Sequence, residues 1–240
     1  MRCPRCTAAY PVRDGVVDLL PVAPPRRLSH VLMESRLIAR AYESPLWRGC
    51  PLIVPMLGIT ASHERALVLA AAAPSPTDDV LDLACGPGNY TRAFAAQNPE
   101  TTVVGLDLSG SMLAVAGRSA RAAGLANTVF VRGTALDLPF DDARFGCVNC
   151  MAALHLFPDV PRVLAEVRRA LAPGGRFTVG VFRRPRGALF AATSRLRRRL
   201  VGIYAFRPEE LETLLAEAGF TNVRRLHEWA AWLVAVGTAG

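Results

Sequence analysis

The chain has 240 residues, 51% of them hydrophobic, and a net charge of +8 carried by arginine alone, since the sequence contains no lysine. No uninterrupted apolar run approaches the ~20 residues of a membrane-spanning helix, and the N-terminus lacks the basic-then-apolar order of a signal peptide. A chain of this length buries a real core, so the composition excludes a membrane channel and a small secreted scaffold, and predicts one cytoplasmic α/β domain with additions.

The six cysteines are unevenly placed, which suits free thiols or metal ligands better than a disulfide framework. The arginine excess suits an acidic partner or nucleic acid. It equally suits a genome of biased base composition, because alanine is abundant too.

Residues 1–22 open with Cys3-Pro-Arg-Cys6, a spacing that lets one zinc ion take both thiolates. Tyr10-Pro-Val-Arg-Asp-Gly15 then predicts a hairpin with Asp14-Gly15 at its corner. No second ligand pair lies nearby, so a closed tetrahedral site needs His30, Cys50 or another chain; the alternative is a hairpin with free thiols. Residues 23–76 read as a linker, Ala23-Pro-Pro-Arg-Arg27, followed by helices. Ser29 to Tyr42 has helical spacing with Ser29 as cap, and Tyr42-Glu-Ser-Pro-Leu-Trp47-Arg48 follows it. A further helix is predicted over His63 to Ala73, with His63 and Glu64 in a solvated first turn.

Residues 77–240 form the core. Val80-Leu-Asp82-Leu-Ala84-Cys-Gly86-Pro-Gly88 reads as a buried strand, an abrupt turn and a helix opening at Tyr90. Gly86 and Gly88 lack a Cβ, so the chain bends sharply there and a ligand can lie against it. Asp82 sits near the strand's carboxyl end, where open α/β sheets bind ligands. About twenty residues on, Thr102-Val-Val-Gly-Leu-Asp107 ends a second strand on an acid. In nucleotide-binding α/β folds an acid at that spacing accepts hydrogen bonds from a ribose. Ser109 caps the next helix. Thr128 to Arg132 and Phe145 to Met151 are strands three and four. Cys147 and Cys150, three apart on a strand, point to opposite faces and belong to the core rather than to a metal. Val160 to Leu171 is an amphipathic helix closed by Pro173-Gly-Gly. Arg176 to Phe182 is strand five, and residues 183–203 are an arginine-dense insertion that can cover an acceptor pocket, grip an anion, touch RNA or simply face solvent. A helix from Arg207 to Gly219 and two closing strands, Asn222 to Glu228 and Ala231 to Gly237, complete a mixed sheet.

The runs DLACGPG, GLDLSGSML, LPFDDARFGCVNCMAALHLFPD and VLAEVRRALAPGGRF, in this order, resemble the class I S-adenosylmethionine-dependent methyltransferases, in particular the subgroup that includes quinone-biosynthesis and natural-product enzymes. The resemblance covers about residues 77–182, with a weaker tail to 240. It implies a Rossmann-like, doubly wound, seven-stranded mixed sheet with helices on both faces, to which the N-terminal hairpin and a helical lid are added. The hairpin itself resembles half of a zinc ribbon. The resemblance also implies S-adenosyl-L-methionine as cofactor. Asp82, Gly86 and Gly88 would surround its methionine part, with Asp107 on the ribose and Leu108, Met112, Ala135 and Leu136 around the adenine; Ala84, Thr134 and Met151 are further cofactor-binding residues. Relatives carry an acid after the glycine of Gly133-Thr134; here the Thr134 hydroxyl or the backbone of Ala135 and Leu136 takes its place. His155, after strand four, is the candidate proton acceptor or positioning residue, and Tyr42 and Trp47 join it on the acceptor side.

The expected reaction is O- or C-methylation of a small, largely apolar acceptor. An RNA methyltransferase is the alternative. Against it, strand four ends without the Asn-Pro-Pro-aromatic run used on exocyclic base amines and without a Pro-Cys nucleophile. A cofactor-binding protein of the same fold that transfers no methyl is the third reading. Zinc at Cys3 and Cys6 and a homodimer stay open.

Overall fold

The computed structural model describes residues 7, 9–20, 53–184 and 204–240. The chain begins in a hairpin of β1 (Val12–Arg13) and β2 (Val16–Asp18). Asp14 (φ 54°) and Gly15 (φ 81°) form its corner, and two successive positive φ values suit the twist of paired strands. Helices α1 (Ile53–Leu57) and α2 (Ala61–Ala72) follow. Strand and helix then alternate through β3 (Val80–Leu83), α3 (Asn89–Gln97), β4 (Val103–Asp107), α4 (Gly110–Ala122) and β5 (Thr128–Arg132). Next come β6 (Phe145–Met151), a 3-10 turn (Leu154–Leu156), α5 (Val160–Ala170) and β7 (Leu171–Phe182). The chain closes with α6 (Pro208–Glu217), β8 (Phe220–Trp229) and β9 (Trp232–Ala239).

All described strands join one nine-stranded sheet, ordered β1-β2-β5-β4-β3-β6-β7-β9-β8. From β2 to β7 neighbours run parallel, while β9 lies antiparallel between β7 and β8. Seven of these strands match the sheet expected of the core. The hairpin is not a separate appendage: β2 pairs with β5, placing Val16 against Phe130, Val17 against Val131 and Asp18 against Arg132. This covers the row of backbone donors and acceptors that β5 would otherwise leave open.

The chain winds outward from β3 through β4 and β5, then returns to β6 on the other side of β3. Such a reversal opens a crevice at the carboxyl ends of the central strands.

Helices cover both faces. On one, Val163, Leu164 and Val167 of α5 and Leu211 and Leu215 of α6 pack on Leu81, Leu83 and Val148. Each of these fully buried side chains contributes roughly 1.5–3 kcal/mol. On the other, Val68 of α2 and Phe94 of α3 meet Val80, Val103 and Cys147, and Leu113 and Ala116 of α4 meet Phe130 and Cys85. Cys147 and Cys150 fall into different faces, as their spacing requires, and burial pushes both thiols well up. The helix expected over His63 to Ala73 is present two residues early, capped by the Thr60 hydroxyl, which accepts from the His63 N–H at 3.3 Å. Glu64 is not solvated: it is 0% exposed, and the Tyr90 hydroxyl donates to its carboxylate at 2.5 Å.

Candidate active site

The glycine turn follows β3, whose four residues are all buried. Ala84 (φ 55°), Gly86 (φ 54°) and Gly88 (φ 79°) lie in the left-handed region. The Cys85 N–H donates to the Leu106 carbonyl at 3.0 Å, and the Gly88 N–H donates to the Cys85 carbonyl at 2.9 Å. Arg92 locks the turn from α3, donating to the Pro87 carbonyl at 2.7 Å and to Asn89 Oδ1 at 2.9 Å. The two glycines serve different ends. A Cβ on Gly86 would meet nothing within 4 Å, so the turn borders open space there. A Cβ on Gly88 would stand 2.9 Å from the Ala116 Cβ, so that glycine admits α4 and does not line a cradle.

Asp107 ends β4 beside this turn. Its Oδ2 accepts from the Gly86 N–H and its Oδ1 from the Ser109 N–H, each at 2.8 Å. Ser109 also caps α4, accepting from the Met112 N–H at 3.3 Å. The carboxylate is therefore fixed on both oxygens by backbone donors. An acid held in this way at the end of the second core strand is the group that accepts from ribose hydroxyls in nucleotide-binding α/β folds.

The neighbouring wall is built from two loops. Leu108 lies in the first, between β4 and α4, and Met112 stands beside it in the first turn of α4; Thr134, Ala135 and Leu136 belong to the second, after β5. Met112 and Ala135 are buried, whereas Leu108, Thr134 and Leu136 are half-buried. The Thr134 hydroxyl accepts from the Leu136 N–H at 3.2 Å. It keeps a lone pair for a further donor. An arginine holds each loop by its backbone: Arg132 Nε donates to the Leu108 carbonyl at 3.1 Å, and Arg162 Nε to the Leu136 carbonyl at 2.7 Å. A fixed carboxylate, a glycine turn open at Gly86 and an apolar wall together fit a nucleoside bearing a short polar chain.

Asp82 does not face the crevice. It is 2% exposed and lies one layer below the edge, in register with Asn149 of β6. Thr91 Oγ1 donates to its Oδ2 at 2.6 Å and Asn149 Nδ2 to its Oδ1 at 2.8 Å. Thr178 Oγ1 completes the row, donating to Asn149 Oδ1 at 2.9 Å. Burial lifts the Asp82 carboxyl to about 6 despite these donors. The network ties β3, β6, β7 and α3 together beneath the turn. Asn149, Thr91 and Thr178 were not anticipated. The only trace of Asn149 and Thr178 in the sequence is a polar residue within an otherwise apolar run, which by itself does not say whether it meets a ligand or another side chain; Thr91 stands among polar neighbours at the start of α3 and gives no such signal.

His155, expected as a proton acceptor or a positioning residue, is placed in the 3-10 turn after β6. It is 2% exposed, its ring stacks against Phe182 at a centroid distance of 4.4 Å, and burial drives its conjugate acid down to about 3. The Phe182 N–H donates to its Nδ1 at 3.5 Å, and its carbonyl accepts from the Tyr204 N–H at 2.9 Å. An imidazole that stays neutral so far below neutrality is a poor proton acceptor. It joins the end of β6 to the end of β7. Met151 is 9% exposed and packs against Gly180, where an added Cβ would lie 2.4 Å from the Met151 Cε. Tyr42, Trp47, Cys3 and Cys6 lie outside the described residues, as does most of the 183–203 insertion. Among the described residues no group of three or more His, Cys, Asp or Glu side chains is placed to hold a metal.

Residues 80–175 match the model of a methyltransferase domain. The chain is 34% identical over 163 residues to the demethylmenaquinone methyltransferase of Thermus thermophilus, covering 59% of this chain and 74% of the relative. It is 38% identical over 140 residues to that of Deinococcus radiodurans, covering 58% of this chain but only 57% of the relative's length. Among solved structures, the [4+2]-cyclase SpnF is similar in fold, with a TM-score of 0.71 at 18% identity over 91% of this chain and 97% of the cyclase. The strand order, the glycine turn with its acid on the next strand, and these relatives agree: the chain belongs to the class I S-adenosylmethionine-dependent methyltransferase family.

Proposed function

We propose that this chain methylates a small, largely apolar acceptor of the quinone type, with S-adenosylmethionine as donor. The observation that carries this reading is the Asp107 carboxylate, held by the Gly86 and Ser109 backbone at the open side of the glycine turn. The acceptor class rests on the two relatives named as demethylmenaquinone methyltransferases.

When bound, S-adenosylmethionine supplies a methyl group already activated on a sulfonium. Asp107 would hold the ribose hydroxyls, and Leu108, Met112, Thr134, Ala135 and Leu136 the adenine. Ala84 and Gly86 would border the methionine part, with Met151 behind it. The protein's remaining task is to bring the nucleophile into line and keep water out. The Asp82–Asn149–Thr178 row serves this by holding three neighbouring strands at fixed spacing. His155 acts in this reading as a neutral positioning group between β6 and β7, not as the base.

Calorimetry with S-adenosylmethionine and its demethylated product tests the donor half, and transfer of labelled methyl to a series of demethylated quinols tests the acceptor half. Micromolar binding with turnover on a quinol is expected. Absence of binding would overturn the whole reading; binding without turnover on any quinol would overturn methyl transfer to this class.

A further inference from the structure

We infer that the N-terminal hairpin positions the nucleoside wall, through Asp18 and Arg132. This deepens the reading above and rests on it. Arg132 ends β5, directly opposite Asp18 of β2. Its Nη1 donates to Asp18 Oδ2 at 3.1 Å, while its Nε donates to the Leu108 carbonyl at 3.1 Å. The two side chains are 19% and 23% exposed. One guanidinium thus spans the hairpin and the loop next to the acid on β4.

The geometry around this span is constrained on every side. The Leu19 N–H donates to the Arg132 carbonyl at 3.0 Å, and the Gly133 N–H to the Asp107 carbonyl at 3.1 Å. Asp18 Oδ1 accepts from the Leu20 N–H at 3.1 Å, so the carboxylate is oriented before it meets the arginine. The Arg132 stem passes 3.7 Å from where a Gly110 Cβ would stand, at the first residue of α4. A planar guanidinium delivers its donors in a fixed fork. Pinning one arm on Asp18 therefore sets the direction of the other at Leu108. The hairpin's far end is anchored separately, where Arg121 Nη1 donates to the Asp14 carbonyl at 3.0 Å. The two anchors can be cut independently.

Asp18 and Arg132 act through Leu108, so they are positioning residues. Asp18→Ala and Arg132→Ala should each weaken binding of the demethylated cofactor by about three- to tenfold, with the double variant no worse than the weaker-binding single. Asp18→Asn, which keeps shape and loses charge, should shift affinity in the same direction by less. In ligand-free protein the Ser109 amide should exchange its hydrogen faster in both alanine variants, a readout independent of any ligand. Arg121→Ala, which loosens only the turn, should leave affinity within about twofold. Unchanged affinity and exchange in Asp18→Ala and Arg132→Ala, with binding abolished in Asp107→Ala, would overturn the brace and leave the site standing. Unchanged affinity in Asp107→Ala would overturn the site itself.

Discussion

The two halves of the sheet's carboxyl edge are built to opposite rules. Around β4 and β5 the groups are half-exposed and tied to the main chain: Asp107 on two backbone N–H groups, and the Leu108 and Leu136 carbonyls on two arginine side chains. Around β6 and β7 they are buried and satisfied by one another: Asp82, Asn149 and Thr178 in one row, and His155 under Phe182. A buried polar group is stable only when its partners are present, so the second half is a frame, whereas the first half keeps its groups partly exposed at the crevice.

The largest effect that should separate the halves is Asp107→Ala. Loss of two hydrogen bonds to a charged group should weaken cofactor binding by about a hundredfold or more, read by calorimetry. Asp82→Asn should leave that affinity within a fewfold, because the carboxylate touches only protein.

The glycines sharpen the contrast. Gly88→Ala forces a Cβ to 2.9 Å from Ala116 at φ 79°. It should cost about 2–3 kcal/mol in urea unfolding, and Ala116→Gly should restore part of this. Gly86→Ala meets open space at φ 54°. It should cost only about 1 kcal/mol of stability, from the left-handed backbone, yet weaken cofactor binding tenfold or more (about 1.4 kcal/mol).

Two separate buried groups, Asp82 and His155, give a pH signature of their own. Asp82 keeps its proton to about 6 when folded, against 3.8 ordinarily. Its contribution to stability is present below pH 3.8 and fades as pH rises to 6. His155 refuses a proton until about 3, against 6.5 ordinarily. Its contribution is present above pH 6.5 and fades as pH falls. Between about pH 4 and 6 the two slopes, each up to about 1.4 kcal/mol per pH unit, oppose each other. Relative to the parent, Asp82→Asn should gain stability as pH rises through this window, and His155→Gln should lose it. Urea midpoints at three pH values would show either sign.

The smallest effect expected is at Ala84, a residue with a Cβ at φ 55°. Ala84→Gly should stabilise by about 0.5–1 kcal/mol in the same unfolding assay.

Much of this frame was legible in the residues. The strands Val80–Leu83, Thr128–Arg132 and Phe145–Met151, the Ser109 cap and the Asp14-Gly15 corner follow from periodicity and turn chemistry, which act over a few neighbours. So does the placement of Asp107 at a strand end, about twenty residues after the glycine turn. Packing decided the rest. Whether Gly86 or Gly88 faces open space depends on Ala116; whether Asp82 meets a ligand depends on Asn149, 67 residues away; and Glu64 is buried because Tyr90 reaches it. Likewise, nothing local in Asp18 announces that it stands opposite Arg132, 114 residues on. Local order along a chain reports the conformation of a few consecutive residues, whereas burial and partnership belong to atoms that only the closed sheet brings together.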